Sequence, residues 1–159
     1  TILKYVHHFA NIAIYLFFVA IAIGVILYLL YSYVFQSIAS MCMLKNIGYA
    51  YPFTAWIPFY HKYLLGKIAN KQILGAISGV LSFISICLCV HFYIHLDFDS
   101  VLFSILTISF MTTLIIETII AHQIYKTHTK YADIFTIFTI LSFGILKPIF
   151  LFIIRNMGI

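Results

Sequence analysis

The sequence predicts an all-α integral membrane protein with four transmembrane helices and an amphipathic interfacial helix between the first and the second. Three observations predict it. Apolar residues make up 64% of the 159 positions and charged residues only 8%, with a mean hydropathy of +1.11. A soluble domain of this size needs more polar surface to cover its core, and a disordered chain is far more polar still. The apolar residues also come in long uncharged runs, and the positive charges gather between those runs.

The first run, residues 5–44, holds no Asp, Glu, Lys or Arg over 40 positions. As helix it would be about 60 Å long, twice a hydrocarbon core. A first span at about 11–33 is expected, continuing past the bilayer boundary towards Lys45. Lys4 precedes a run too long for a signal-peptide core, and no small-residue cleavage site follows on schedule, so this helix is expected to stay in the mature protein. Residues 73–93 and 101–120 make the second and third spans, and the third contains Glu117. The fourth, 134–154, is interrupted by Gly144, Lys147 and Pro148. Full spanning with a proline kink is expected; a re-entrant turn at 144–148 is the alternative. The whole chain, 1–159, reads as a single transmembrane domain.

Positive charge sets the expected orientation. Residues 45–71 carry four lysines and residues 121–133 carry two, against Lys4 and Arg155 on the other side with Asp97 and Asp99. Both loops are expected in the cytoplasm and the N-terminus outside, in the cell membrane.

The 45–71 segment is distinct from its surroundings. Tyr49, Tyr51, Phe53, Trp56, Phe59, Tyr60 and Tyr63 crowd it, and Pro52 and Pro58 break it. Aromatic residues with a polar tip settle at headgroup level. From Phe59 to Asn70 the pattern reads as an amphipathic helix, with Tyr60, Tyr63, Leu64 and Ile68 on one face and His61, Lys62 and Lys67 largely off it. The segment is expected to lie on the membrane without crossing it.

Few residues suggest chemistry. Gly75, Ser78, Ser82, Ser85 and Cys89 recur on one face of the second span, and Gly79 completes a Gly-x-x-x-Gly with Gly75. Small residues at this spacing let two helices approach closely. Glu117 and Lys147 are the charges inside the expected spans, and intramembrane charges are functional candidates by default. Their expected depths, about 5 Å and about 20 Å from the same face, argue against a direct pair unless the fourth segment turns back. Ser109, Thr113 and Glu117 share a face of the third span, as a polar path or as helix-to-helix hydrogen bonds. His91 and His95 stand one turn apart near Asp97 and Asp99, with His7 and His8 expected on the same side, but nothing fixes a third metal ligand. Cys42, Cys87 and Cys89 are expected to be buried apolar thiols. No zinc-protease, nucleophile-elbow or phosphate-loop motif is present. No enzyme, cofactor, metal or nucleic-acid partner is expected. The expected partners are the lipid bilayer and other membrane subunits or further copies of the chain.

Residues 44–69, with Lys45, Gly48, Ile57, Pro58, Tyr60, Tyr63, Lys67 and Ile68, resemble a family of small bacterial multi-pass membrane proteins of unknown function. Phe53 stands where that family has Trp, with Trp56 three residues later, and His61 stands where it often has Asn. The same module is similar to a region of some bacterial signal peptidases, although no serine–lysine arrangement is evident in the sequence. The end of the chain, 148–156, is also like the C-terminus of some members. The resemblance implies an architecture and no activity. The resulting expectation is a non-enzymatic subunit or accessory of a larger membrane assembly. The alternative is a small oligomeric pore or proton-coupled transporter using Glu117.

Overall fold

A computed structural model describes residues 2–95 and 99–157, with side chains from residue 8 onwards. Among the described residues all regular structure is helical: α1 Ile2–Asn46, a 3-10 turn Pro52–Trp56, α2 Tyr60–Ile68, α3 Gln72–His95, α4 Ser100–His128, α5 Ala132–Leu141 and α6 Lys147–Ile154. Three helices are long and apolar enough to cross a membrane: α1 from His8 to Asn46, α3 and α4. The chain divides into two compact units, residues 1–34 and 35–159.

The first unit is helix alone. Every residue from 8 to 30 is exposed. A helix apolar on all sides suits lipid or a partner helix.

The second unit contains the core. Met43, Leu65, Ile116, Ile120, Ile124, Tyr125, Leu151 and Ile154 form its main cluster. Gly48 ends α1 with φ +73°. Its backbone N–H and that of Tyr49 bond back to Lys45 and Leu44, a left-handed cap suited to glycine.

The boundary before α2 is sharper than a proline break alone. Ile57 is extended, as the residue before a proline prefers, and Phe59 takes φ +63°. That turn swings α2 onto α3, with the Phe59 ring edge-on to Phe83 at 5.4 Å. The expected faces of α2 are therefore reversed in part. Its buried residues are His61, Leu64, Leu65 and Gly66, while Tyr60 is exposed. The helix turns its amphipathic stripe towards α3 and the core, because Gly66 lets it approach more closely than a headgroup-facing tyrosine would. A Cβ on Gly66 would meet Gly75 Cα at 2.8 Å, and one on Gly75 would meet the Lys62 carbonyl at 2.6 Å. Gly75, Ser78, Gly79, Ser82 and Ser85 are the buried face of α3. Their partners lie within this chain. Cys89 drops out of that face: Cys87 and Cys89 are exposed and Cys42 is half-buried, so the expectation of buried thiols fails for the first two.

The largest departure concerns the expected fourth span. Residues 134–154 do not form one helix. α5 has 10 residues and α6 has 8, about 15 and 12 Å of helix, each too short to cross. Between them Phe143 and Gly144 both have positive φ, 50° and 83°. The Gly144 N–H bonds to Thr139 O and the Leu146 N–H to the Ser142 hydroxyl. Two successive left-handed residues reverse the chain, where Pro148 alone would only bend it. Phe135 and Phe150 then stack at 4.6 Å, whereas fifteen residues of continuous helix would separate them by about 22 Å. Tyr125 of α4 packs edge-on to both rings. The Asn46 amide also donates to the Arg155 carbonyl at 3.3 Å, bringing the end of α6 to the end of α1.

Candidate functional site

α4 runs to His128, eight residues beyond the expected end of its span. Glu117 therefore lies eleven residues, about 16 Å, from the helix end. The reversed α5–α6 segment carries Lys147, the first residue of α6, to the same level. The two depths that argued against a pair thus converge. Glu117 Oε2 is ion-paired with Lys147 Nζ, and Glu117 Oε1 with Lys62 Nζ.

Lys62 is the partner that the sequence did not reveal. It reaches the carboxylate because α2 lies on α3 and directs that side chain inwards. Two hydroxyls complete the arrangement. The Lys62 ammonium donates to Ser82 Oγ at 2.7 Å, and the Ser78 hydroxyl donates to Glu117 Oε1 at 3.3 Å. Lys147 is 6% exposed and the Lys62 and Glu117 side chains are half-buried, so this is a largely desolvated cluster and not a surface pair. Charges taken out of water are tolerated only when paired and hydrogen-bonded. Here one carboxylate meets two ammonium groups from two other elements, joining α2, α4 and α6.

A serine and a lysine do meet at Ser82 and Lys62, an arrangement not evident in the sequence. The geometry opposes nucleophilic use. The Ser82 hydroxyl donates to Ser78 O at 2.7 Å, and the Lys62 side chain is ion-paired with the Glu117 carboxylate. A general base needs a free lone pair.

His61, beside Lys62 on α2, is buried. Its burial, and then the nearby Lys62 ammonium, push its pKa down to about 4, so the ring is neutral at pH 7.

A polar seam continues from the cluster between α3 and α4. Ser85 and Ser109 hydroxyls are 3.1 Å apart, Ser109 donates to Leu81 O at 3.1 Å, and Thr113 donates back to Ser109 O at 2.8 Å. Further along, Phe92 and Phe103 rings stand 6.4 Å apart in the same groove between the helices.

The aromatic elbow occupies a separate region. The Lys67 ammonium lies over the Tyr49 ring at 4.4 Å, and Tyr60 and Tyr63 rings are 5.4 Å apart. Lys45 lies in the last turn of α1, and Trp56 is 38% exposed.

The paired histidines, His91 and His95, have ring centroids 4.6 Å apart. Asp99 instead caps α4, accepting from the Val101 N–H at 2.9 Å. Asp97 and the side chain of His7 lie outside the described residues. Among the described residues no three potential ligands gather as a metal site.

The fold and site define a helical protein with three helices able to cross a membrane and a buried Lys–Glu–Lys cluster. Comparison with family models, curated proteins and solved structures finds no match to the chain.

Proposed function

We propose that this is a non-enzymatic multi-pass membrane protein acting as a subunit or accessory of a larger membrane assembly. The observation that carries the reading is the first unit. Residues 8–30 are exposed throughout, and within them Ala20 and Gly24 are one turn apart. A Cβ at Gly24 would find nothing within 4 Å. In lipid, such a small-residue position is where another helix packs. The charged cluster supports the same reading, because it joins helices and leaves neither the carboxylate nor the hydroxyls free for catalysis.

In this proposal α1, α3 and α4 cross the bilayer and α2 lies at the interface. The α5–α6 hairpin enters the membrane and returns. Lys45, Lys67, Lys71, Lys126, Lys130 and Arg155 then share one side, which the positive-inside rule makes cytoplasmic, with the N-terminus outside. The resemblance of 44–69 to small bacterial membrane proteins supports the cell membrane of a bacterium as the location. Lipid anchoring by the elbow adds about 1 kcal/mol for each lysine near an anionic surface.

Purification in mild detergent with mass measurement tests the proposal. A particle larger than one chain is expected, and Gly24→Leu should break it while leaving the melting temperature of the protein unchanged. A strictly monomeric wild type from which crosslinking recovers no partner contradicts it.

The seam through Ser85, Ser109 and Thr113 favours one second reading, an oligomeric pore or proton-coupled transporter using Glu117. Glu117→Gln should then abolish liposome flux. Unchanged flux removes Glu117 from such a mechanism.

A further inference from the structure

The cluster contains one carboxylate and two ammonium groups. Asp99 and Asp133, the other acids among the described residues, are exposed and join no ion pair there. The adjacent His61 ring is neutral at pH 7, so it neither adds to nor offsets the imbalance. A net single positive charge is thus held in a largely desolvated position, where an uncompensated charge is costly.

The hydrogen-bond inventory shows a second imbalance. Each ammonium has three N–H donors. Lys62 uses two, on Ser82 and Glu117, and Lys147 uses one, on Glu117. Three donors remain. Beside them is a partly open cavity of about 10 Å³, lined by Lys62, Lys147, Ser78 and Glu117 together with Leu65 and Ile124. That space holds one water-sized occupant. A water molecule accepts at most two of the three bonds and leaves the charge in place. A monatomic anion accepts all three and neutralises the cluster.

From the charge, the donors and the cavity we infer that the Lys62–Glu117–Lys147 cluster is a binding site for one halide-sized monovalent anion, chloride being the abundant candidate. The bound anion forms part of the joint between α2, α4 and α6.

The test uses the whole protein in mild detergent, melted in sodium chloride and in sodium gluconate at equal ionic strength. Gluconate is a far bulkier anion than chloride. Wild type should melt about 5 °C higher in chloride, saturably, as expected of a ligand that binds only the folded state. Lys147→Met leaves a neutral Lys62–Glu117 pair and should melt identically in the two salts. Glu117→Gln raises the net charge to two and should enlarge the chloride effect. Equilibrium binding of radiolabelled chloride to wild type, which needs no variant to fold, should give one site per chain, displaced by bromide. Three results would each overturn the inference: no bound chloride, equal wild-type melting in both salts, or a full chloride effect retained in Lys147→Met.

Discussion

Glu117 ties α2, α4 and α6 of the second unit together, since both of its oxygens hold a lysine from another element. Replacing it with alanine leaves two ammonium groups facing each other without a counter-charge. Loss of a buried partner of this kind costs about 3–5 kcal/mol, so Glu117→Ala should accumulate poorly and melt well below wild type. His61 supplies a second, pH-dependent term. Its folded pKa, about 4, lies below the unfolded value of about 6.5. The unfolded chain therefore takes up the proton first as pH falls. Stability contributed by the neutral ring is complete above pH 6.5 and is lost progressively between 6.5 and 4, by about 3 kcal/mol in all. Melting temperatures across that window should fall more steeply for wild type than for His61→Gln. Equal slopes would show that His61 is not buried as described. At this scale the sequence marked Glu117 and Lys147 as unusual but not as partners. Their contact depends on a chain reversal and on a longer α4, and hydropathy encodes neither. One signal was available: an acid inside a span needs a base, and Lys62 lies on the short helix that follows the Pro58 break.

Among the helices, the tightest joint is between α2 and α3, where Gly66 and Gly75 bring the two backbones together. Gly75→Ala would drive a Cβ into the Lys62 carbonyl, forcing α2 away and pulling Lys62 from Glu117. A loss of about 2 kcal/mol or more is expected from overpacking alone. Gly24→Ala, with open space around it, should be neutral, and thermal melting of the two variants side by side measures the difference. The small-residue face of α3 was legible in the sequence except at Cys89, but its partner was not, because spacing reports a face and never what covers it. The opposite holds for the elbow. Pro58→Ala should let helix propagate through Ile57 and Phe59, relieve the left-handed Phe59 turn, and carry Lys62 away from the cluster. Lower recovery of folded protein in the membrane would be the result. Trp56→Ala should lower recovery as well. A Trp56→Ala protein that accumulates and melts normally yet loses biological activity would mark the elbow as a partner site.

For the whole molecule, composition points to a membrane protein, and the three long helices α1, α3 and α4 follow from their apolar runs. Residues 134–154 were harder to read. Full spanning and re-entry have the same hydropathy, and only the successive left-handed residues Phe143 and Gly144 distinguish them. A non-glycine residue with positive φ has no compositional signature. The reversal decides where the chain ends and whether Lys147 can reach Glu117 at all, so topology and cluster are one claim. Single cysteines at positions 99, 130 and 157, on a background lacking Cys42, Cys87 and Cys89, test it directly with a membrane-impermeant thiol reagent applied from one side at a time. The account predicts that 157 labels from the same side as 130 and from the side opposite 99. Labelling of 157 together with 99 would mean that residues 134–154 cross the membrane, and would contradict both the hairpin and the Lys62–Glu117–Lys147 cluster.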